Sequence, residues 1–362
     1  MIIAAHIRQT NGTASFLLPL ISQIASEQQS IQFILFCVDP EALGELPANC
    51  KRVPIKRSLK NILLLHYWFQ YTLPTLLKKF GATLFISENN VCSLRTAVVH
   101  IMVVRENFTV TSPTVTAMQV RYFKKYFPAF ADKAAQLCVT SPFLTTILNS
   151  FYPLLENKTV EILHGLNNDY KPLNELEQNT ILDHHTEGFN YFVCECSASS
   201  RPHMVTLVKA FSLFKKRLKS SLQLVIINKL RENPVPDFHL YKYRQEVKVV
   251  NDLTPKNEAE LIAAAYAAIE ISSTQTEHDW GLQCMRCRVP LVTANSDVAR
   301  KQYADAAIFT ELNEIALAEK LMLLYKDESF RNAQIEMGNT LVSPYTWEHC
   351  SRLLWQRILQ CS

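Results

Sequence analysis

Several side-chain groups in this sequence have the types and spacing to handle phosphate oxygens or sugar hydroxyls. Arg201 precedes Pro202 near the start of a helical segment. The helix dipole disfavours a cation at that end unless an anion sits there too, and a guanidinium grips phosphate oxygens in a fork, so a diphosphate suits the position. Arg286 and Arg288, either side of Cys287, are further candidate phosphate ligands. Glu277, His278 and Asp279 form a polar loop past a strand end, ahead of Trp280 and Gly281, where a glycine lets backbone amides approach a sugar or phosphate. Asn11, Gly12 and Thr13 follow the first strand. Arg105 and Glu106 end another strand; such a pair positions a hydroxyl group, and Glu106 can take its proton as general base where burial raises its pKa. Asn89 and Asn90, at the preceding strand end, offer amides to sugar hydroxyls. Each group also has a structural alternative: a solvated arginine, a plain turn, a salt bridge or a loop cap.

Metal chemistry has weaker support. Cys284-x-x-Cys287 and Cys194-x-Cys196 have partial metal-like spacing, but neither is joined by a second well-spaced Cys or His pair, so the ten cysteines read mostly as small buried hydrophobes. The adjacent His184 and His185 read as exposed.

The elements that must position these residues alternate between strand-length apolar runs and longer stretches of helical period. Ile2–Ile7, a helical segment over Phe16–Ala25 and Gln32–Val38 make a βαβ opening. Ser58–Lys79 reads as a helix carrying Trp68 and Phe69. Thr83–Ser87 and Val98–Val104 read as buried strands, Arg121–Phe127 as an exposed helix, and Leu137–Ser141 and Val160–Gly165 as further strands. From Leu166 to Glu187 the chain is polar without clear period, which places an interdomain linker there. The alternation then restarts with strands at Tyr191–Cys196, Leu222–Ile227, Val247–Val250, Ala268–Ser272, Val289–Ala294 and Ala306–Thr310. Helices are expected over Met204–Leu218, Lys256–Ala268, Ile315–Tyr325, Glu328–Val342 and Trp347–Leu359. Strands apolar on both sides belong to parallel sheets covered by helices on both faces. The expected architecture is therefore two doubly wound α/β domains, a first over 1–170 and a second over 188–345, joined by a linker over 171–187 and followed by a final helix in 346–362.

Composition narrows the chemistry. The 362 residues suit two domains at about 150 each. Only seven are glycine, where average usage of about 7% would give about 25, and no two lie close enough to form a G-x-G-x-x-G or G-x-x-x-x-G-K-[ST] phosphate loop. With 37 basic and 33 acidic residues the net charge is +4, too mild for a dedicated nucleic-acid binder. The sequence opens without the pattern of a signal peptide and has no membrane-length stretch that is apolar throughout, so a cytoplasmic protein is expected. The basic residues Lys51, Arg52, Lys56, Arg57 and Lys60, read as lying on a helix ahead of Trp68 and Phe69, and the run Arg121–Phe127 suggest contact with the anionic inner face of a membrane, with solvated faces as the alternative.

In order, these segments resemble the GT-B glycosyltransferases, specifically family 4, also called the group 1 glycosyltransferases. The resemblance covers nearly the whole chain. SSRPHMVTLVKAF (199–211) is similar to the family's basic element opening the helix "LLxAF". ISSTQTEHDWGLQCMRCRVPLV (271–292) is similar to its strand ending in serine, here Ser273, its E-G-F-G-L-P loop and its following G-x-P-V strand. KQYADAAIFT (301–310) resembles the acidic segment before a G-D-A-A turn, SPYTWEHC (343–350) the closing aromatic motif before a C-terminal helix, and LHGLNNDYKPL (163–173) the "NGVD" linker. The opening 1–25 and the strand region 88–108 match the family's first loop and its His-Asp strand. The departures concern charge. Of the two glutamates that grip the donor, only Glu277 has a counterpart; the diphosphate-binding Arg-Lys pair is reduced to Arg201 with Pro202 beside it; Arg105 and Glu106 replace the His-Asp pair; Lys301 replaces an acid; Arg288 and Ala304 stand where glycines are expected.

The resemblance implies two Rossmann-like domains facing a central cleft, with the final helix crossing back to the first domain. It implies transfer of a hexosyl group from a nucleotide-diphosphate sugar to a glycan or lipid-linked glycan, with no cofactor and no metal. Catalytic candidates are then Arg105, Glu106 and Glu277. Donor-binding candidates are Arg201, Ser273, Asp279, Trp280, Gly281, Leu282, Gly12 and Thr13, and Asn89 and Asn90 would bind acceptor. An inactive glycosyltransferase-like partner protein and a nucleotide-sugar epimerase remain as alternatives.

Overall fold

The computed structural model describes residues 1–8, 15–55, 61–105, 108–109, 115–230, 236, 238, 241–272 and 279–361. The chain divides into two compact units, one of Met1–Gly165 with Pro344–Ser362 and one of Leu166–Ser343.

In the first unit the order is β1 (Ile2–His6), α1 (Leu17–Glu27), β2 (Gln32–Cys37), β3 (Cys50–Pro54), α2 (Ile62–Tyr67), α3 (Leu73–Phe80), β4 (Leu84–Ser87), β5 (Val99–Val104), α4 (Ala117–Lys133), β6 (Gln136–Val139), α5 (Pro142–Phe151) and β7 (Thr159–Glu161). The seven strands form one parallel sheet in the order β3-β2-β1-β4-β5-β6-β7, with Ala4 at its centre opposite Ile34 on one side and Phe85 on the other. The second unit contributes α6 (Glu175–Thr186), β8 (Tyr191–Cys196), α7 (Met204–Leu218), β9 (Gln223–Asn228), β10 (Val247–Val250), α8 (Pro255–Ala263), β11 (Ala267–Glu270), α9 (Trp280–Arg286), β12 (Leu291–Ala294), α10 (Asp297–Tyr303), β13 (Ala307–Thr310), α11 (Glu314–Lys326) and α12 (Glu328–Val342). Its parallel sheet runs β10-β9-β8-β11-β12-β13. Both orders reverse beside the unit's first strand, between β1 and β4 and between β8 and β11, which makes each unit a doubly wound fold with one switch point.

The first sheet is covered on both faces because its central strands are apolar on both sides. One face packs Phe36, Phe85 and Met102 against Leu73, Leu77, Phe127 and Leu148 of the helices α3, α4 and α5. The other packs Ile3, Phe33 and Ile101 against Leu17, Leu20 and Ile24 of α1 and against the last helix, α13 (Trp347–Cys361). Cys350, Leu354 and Ile358 recur every fourth residue of α13 and are buried there, with Leu354 and Ile358 contributing about 3–6 kcal/mol together. Trp347 lies against Gly165, where a Cβ would collide with the indole.

Four expectations need correction. Lys51 and Arg52 lie on β3, an edge strand, rather than on a helix, and their exposed cations keep that edge from pairing further, while Lys56, Arg57 and Lys60 lie outside the described residues. The aromatic-basic run 121–127 sits inside the longer α4 and is amphipathic: Tyr122, Phe123 and Phe127 are buried while Arg121, Lys124 and Lys125 face solvent. The segment read as a linker holds α6, within the second unit, opened by a capping box between Asn174 and Glu177; only Leu182 and Thr186 of it are buried, so no apolar period shows. Helices α5, α9 and α10 are too short or too interrupted to have been recognised from period.

Arg288 and Ala304, which occupy expected glycine positions, have left-handed backbones with φ of 61° and 44°. The turn conformation is thus retained without the residue that adopts it freely, at a cost of about 1–2 kcal/mol each. Ala304 is exposed, so its methyl group contributes little packing. Ala304→Gly is expected to raise the thermal unfolding midpoint of the second unit by about 2–4 °C in calorimetry, and an unchanged or lower midpoint would show that the turn carries no strain.

Candidate functional site

Open parallel sheets bind ligands beyond the carboxyl ends of their strands at the switch point. In the second unit an open cavity lies there, between β8 and β11. Glu195, Ser197, Ser199 and Ser200 line it from the β8 side, Glu270, Ile271 and Ser272 from the β11 side, and Trp280 of α9 closes it. The serine-rich turn 197–200 leads through a short helical turn, Arg201–His203, into α7. Ser200 holds the turn together, its hydroxyl donating to the Glu195 carbonyl at 2.7 Å and accepting from the Ser197 amide at 2.8 Å. The indole N–H of Trp280 is buried and has no partner among the described residues. A buried donor left unsatisfied is rare enough to mark a place where a ligand oxygen fits.

Two carboxylates stand in this cavity. Glu270, the last residue of β11, accepts from the Thr293 hydroxyl of β12 at 3.0 Å and from the Tyr303 hydroxyl of α10 at 3.2 Å. Burial is the main force on its pKa and, with the Glu195 charge adding, pushes it up to about 7 against the pull of the two hydroxyl donors. Glu195 of β8 is pushed up to about 7 as well, again mainly by burial, with Glu258 adding to the rise and Lys229 and the Ser197 hydroxyl opposing it. Lys229 is itself paired with Glu258 of α8.

In the first unit the corresponding rim is built on Glu88, which follows β4 and is fully buried. It accepts from the Phe16 amide and the Ser15 hydroxyl, both at 2.7 Å, and pairs with Arg105 at 2.6 Å. Asn90 is buried in a left-handed backbone with φ of 54°, and its side-chain oxygen accepts from the Arg105 amide at 3.3 Å. Asn89 donates to His6 at 3.0 Å; burial, reinforced by Arg8, lowers the His6 pKa to about 3, so the imidazole is a neutral acceptor.

No family model matches the sequence and no curated protein matches it. Solved structures do. A glycosyltransferase from Rickettsia africae superposes with a TM-score of 0.71 at 12% identity, covering 100% of this chain and 99% of that one. HepE of Anabaena, solved with UDP, gives 0.69 at 13% over 99% of each chain. Sucrose-phosphate synthase from Thermosynechococcus elongatus gives 0.68 at 15%, over 99% of this chain and 98% of that one. This is the fold of the GT-B glycosyltransferases.

Within the GT-B frame the expected residues fall into three groups. Glu106, Glu277, Ser273, Gly12 and Thr13 lie outside the described residues. Trp280, Gly281, Leu282, Asp279 and Arg201 lie around the second unit's rim. Trp280 lines the cavity, and Asp279 is exposed just before α9. Arg201 is exposed, its amide donating to the Ser197 carbonyl at 2.9 Å, beside the serine turn. Leu282 is buried and presents no face to a ligand. Gly281 serves packing rather than ligand approach: a Cβ there would lie 2.7 Å from Leu291 Cδ2 and closer still to the Tyr303 hydroxyl that holds Glu270. The third group is Arg105, which engages Glu88, Asn89, which engages His6, and Asn90, which accepts from the Arg105 amide. Arg288 pairs with Glu336 of α12.

Glu88, Glu195 and Glu270 were missed by the reading from sequence. The last two are single acids at or near the carboxyl ends of apolar strands, YFVCEC and AAIE, and that position is the signal that could have found them. A carboxyl whose folded pKa is near 7 and whose unfolded value is near 4.5 binds its proton more tightly in the folded state. The stability it lends is complete below pH 4.5 and is lost as pH rises through about 7. Relative to the wild type, Glu270→Gln is therefore expected to be more stable at pH 8 than at pH 5 by about 1–3 kcal/mol, measured by urea unfolding at both pH values. An equal difference at the two pH values would place the Glu270 pKa at its ordinary level.

Proposed function

We propose that this protein is a glycosyltransferase that binds a nucleoside-diphosphate sugar in the cavity of its second unit and transfers a hexosyl group to a glycan or lipid-linked glycan. The observation that carries this reading is the cavity at the β8–β11 switch point, with a serine-rich turn opening the α7 helical segment and an unpartnered Trp280 N–H. The ligand class is supported by the HepE structures, which hold UDP or UDP-glucose. In this reading the acceptor oxygen forms its bond to the anomeric carbon as the bond from that carbon to the diphosphate breaks, and the hydroxyl proton passes to the departing diphosphate. The serine hydroxyls, the amides of the turn and Arg201 meet the charge that grows on the leaving oxygens. That charge stabilisation comes from the chain itself, and transfer is expected to persist when divalent metal is chelated.

The engagement of Arg105 by Glu88 and of Arg288 by Glu336 favours a second reading, an inactive partner of other glycan enzymes, because it removes cations from ligand contact. Titration calorimetry with UDP-, GDP- and dTDP-sugars separates the two. Binding of one of them, weakened more than about tenfold by Arg201→Ala, is the expected result. Absence of binding to all would leave the inactive partner, and sugar interconversion without acceptor would indicate an epimerase.

The acceptor side of the proposal includes contact with an anionic lipid surface. Among the described residues no helix is long and apolar enough to cross a membrane. Trp68 and Phe69 are buried, but Leu63, Leu64, Tyr67 and Tyr71 are exposed along the same helical segment. Arg95 lies 4.2 Å over the Tyr71 ring, and Lys125 sits over Tyr126, which packs on His66. Aromatic rings with adjacent cations suit the headgroup region of anionic bilayers. Binding to phosphatidylglycerol vesicles in a flotation assay is expected to fall about fivefold or more in Tyr67→Glu/Tyr71→Glu. Equal flotation of variant and wild type would remove this face from the proposal.

A further inference from the structure

The cavity described above combines features of opposite electrostatic preference. The turn 197–200 presents hydroxyls and the amino end of a helical segment, a setting that attracts anions. Glu195 and Glu270 line the same space, and as carboxylates they repel anions. We propose that a nucleoside-diphosphate sugar enters this cavity together with one proton, which is taken up from solvent and shared by Glu195 and Glu270. The inference deepens the proposed function and rests on it.

Among the described residues that line the cavity none is a cation, so besides Arg201 at its edge a proton is the available source of positive charge. Lys229, the cation that faces Glu195 from beyond β9, is already paired with Glu258 of α8. Tyr303 of α10 and Thr293 of β12 face Glu270 as neutral hydroxyls, and Cys194 of β8 and Cys284 of α9 face it as thiols that burial keeps protonated. Asp279 near Tyr303 and Tyr170 near Glu195 bring no positive charge. Arg201 lies outside the cavity lining, beside the turn. The two acids line one space, where burial is the main cause that pushes each up to about 7, and the Glu195 charge adds to the rise of Glu270. A diphosphate brought beside them raises both further, so that one proton binds to the pair and one of its oxygens becomes a donor. The hydroxyls of Thr293 and Tyr303 can each accept as well as donate, so Glu270 keeps its partners in either state.

The test uses the nucleotide sugar that binds most tightly among UDP-, GDP- and dTDP-glucose and -mannose, whose diphosphate diesters do not titrate near neutrality. Calorimetric binding enthalpies are measured in buffers of different ionisation enthalpy, so that the slope counts protons taken up. The expected result is uptake of about one proton near pH 8 and none near pH 5.5, with Kd rising towards tenfold per pH unit above about 7. In Glu195→Gln/Glu270→Gln the uptake disappears and Kd is flat across this range. Binding without proton uptake by the wild type overturns the inference and leaves the proposed function standing, as does uptake that persists in the double variant. Should that variant not fold, the wild-type proton count decides alone. No binding of any sugar nucleotide at either pH overturns both readings.

Discussion

Strands that are apolar on both sides leave a sheet no stable arrangement except between two layers of helices, and the connections that achieve this in a parallel sheet fix everything else about each unit. Every crossover returns the chain to the same edge, so all the carboxyl ends in one unit share one rim. On strands as apolar as YFVCEC and AAIE the acids stand at that rim, where the strand runs out of cover. Glu88, Glu195 and Glu270 all occupy it. The same covering that excludes water from Ile3 and Phe192 raises the proton affinity of the acids next to it, so core packing and site electrostatics share a cause.

The two rims use their acids differently. Glu88 is satisfied by an arginine, a hydroxyl and a backbone amide, and its role is to tie the start of α1 to the ends of β4 and β5. Glu195 and Glu270 have weaker company, three neutral hydroxyls and a lysine that is shared with another acid. One acid is locked and the other pair is left responsive to protons and charge. Tyr303 links this responsiveness to packing, because its hydroxyl reaches Glu270 through the space that Gly281 leaves open.

The architecture was legible because its signal is redundant: β8, β10 and the helices over Met204–Leu218 and Glu328–Val342 follow from period alone, and twelve of the thirteen strands show as apolar runs, the half-exposed edge strand β3 alone lacking that pattern. The site was less legible. Asn89, Asn90 and Arg105 stand at the right strand ends, but sequence does not reveal that they bond to His6 and Glu88 rather than facing outward. Gly281 looked like a ligand-facing glycine since a tyrosine 22 positions later gives no sign that its ring fills the space above it. The glycine deficit itself was informative, but for backbone rather than chemistry: Arg288 and Ala304 keep the left-handed turns that glycines would normally supply.

The first unit is assembled from both ends of the chain, with the whole second unit inserted between Gly165 and Pro344. During synthesis from the amino end, the face of the first sheet formed by Ile3, Phe33 and Ile101 therefore waits without Leu354 and Ile358 until about 180 further residues have been translated and folded. Helix α13 is made after the whole second unit, and its arrival completes the first. A nascent chain stalled anywhere in the second unit would expose that apolar face to chaperones.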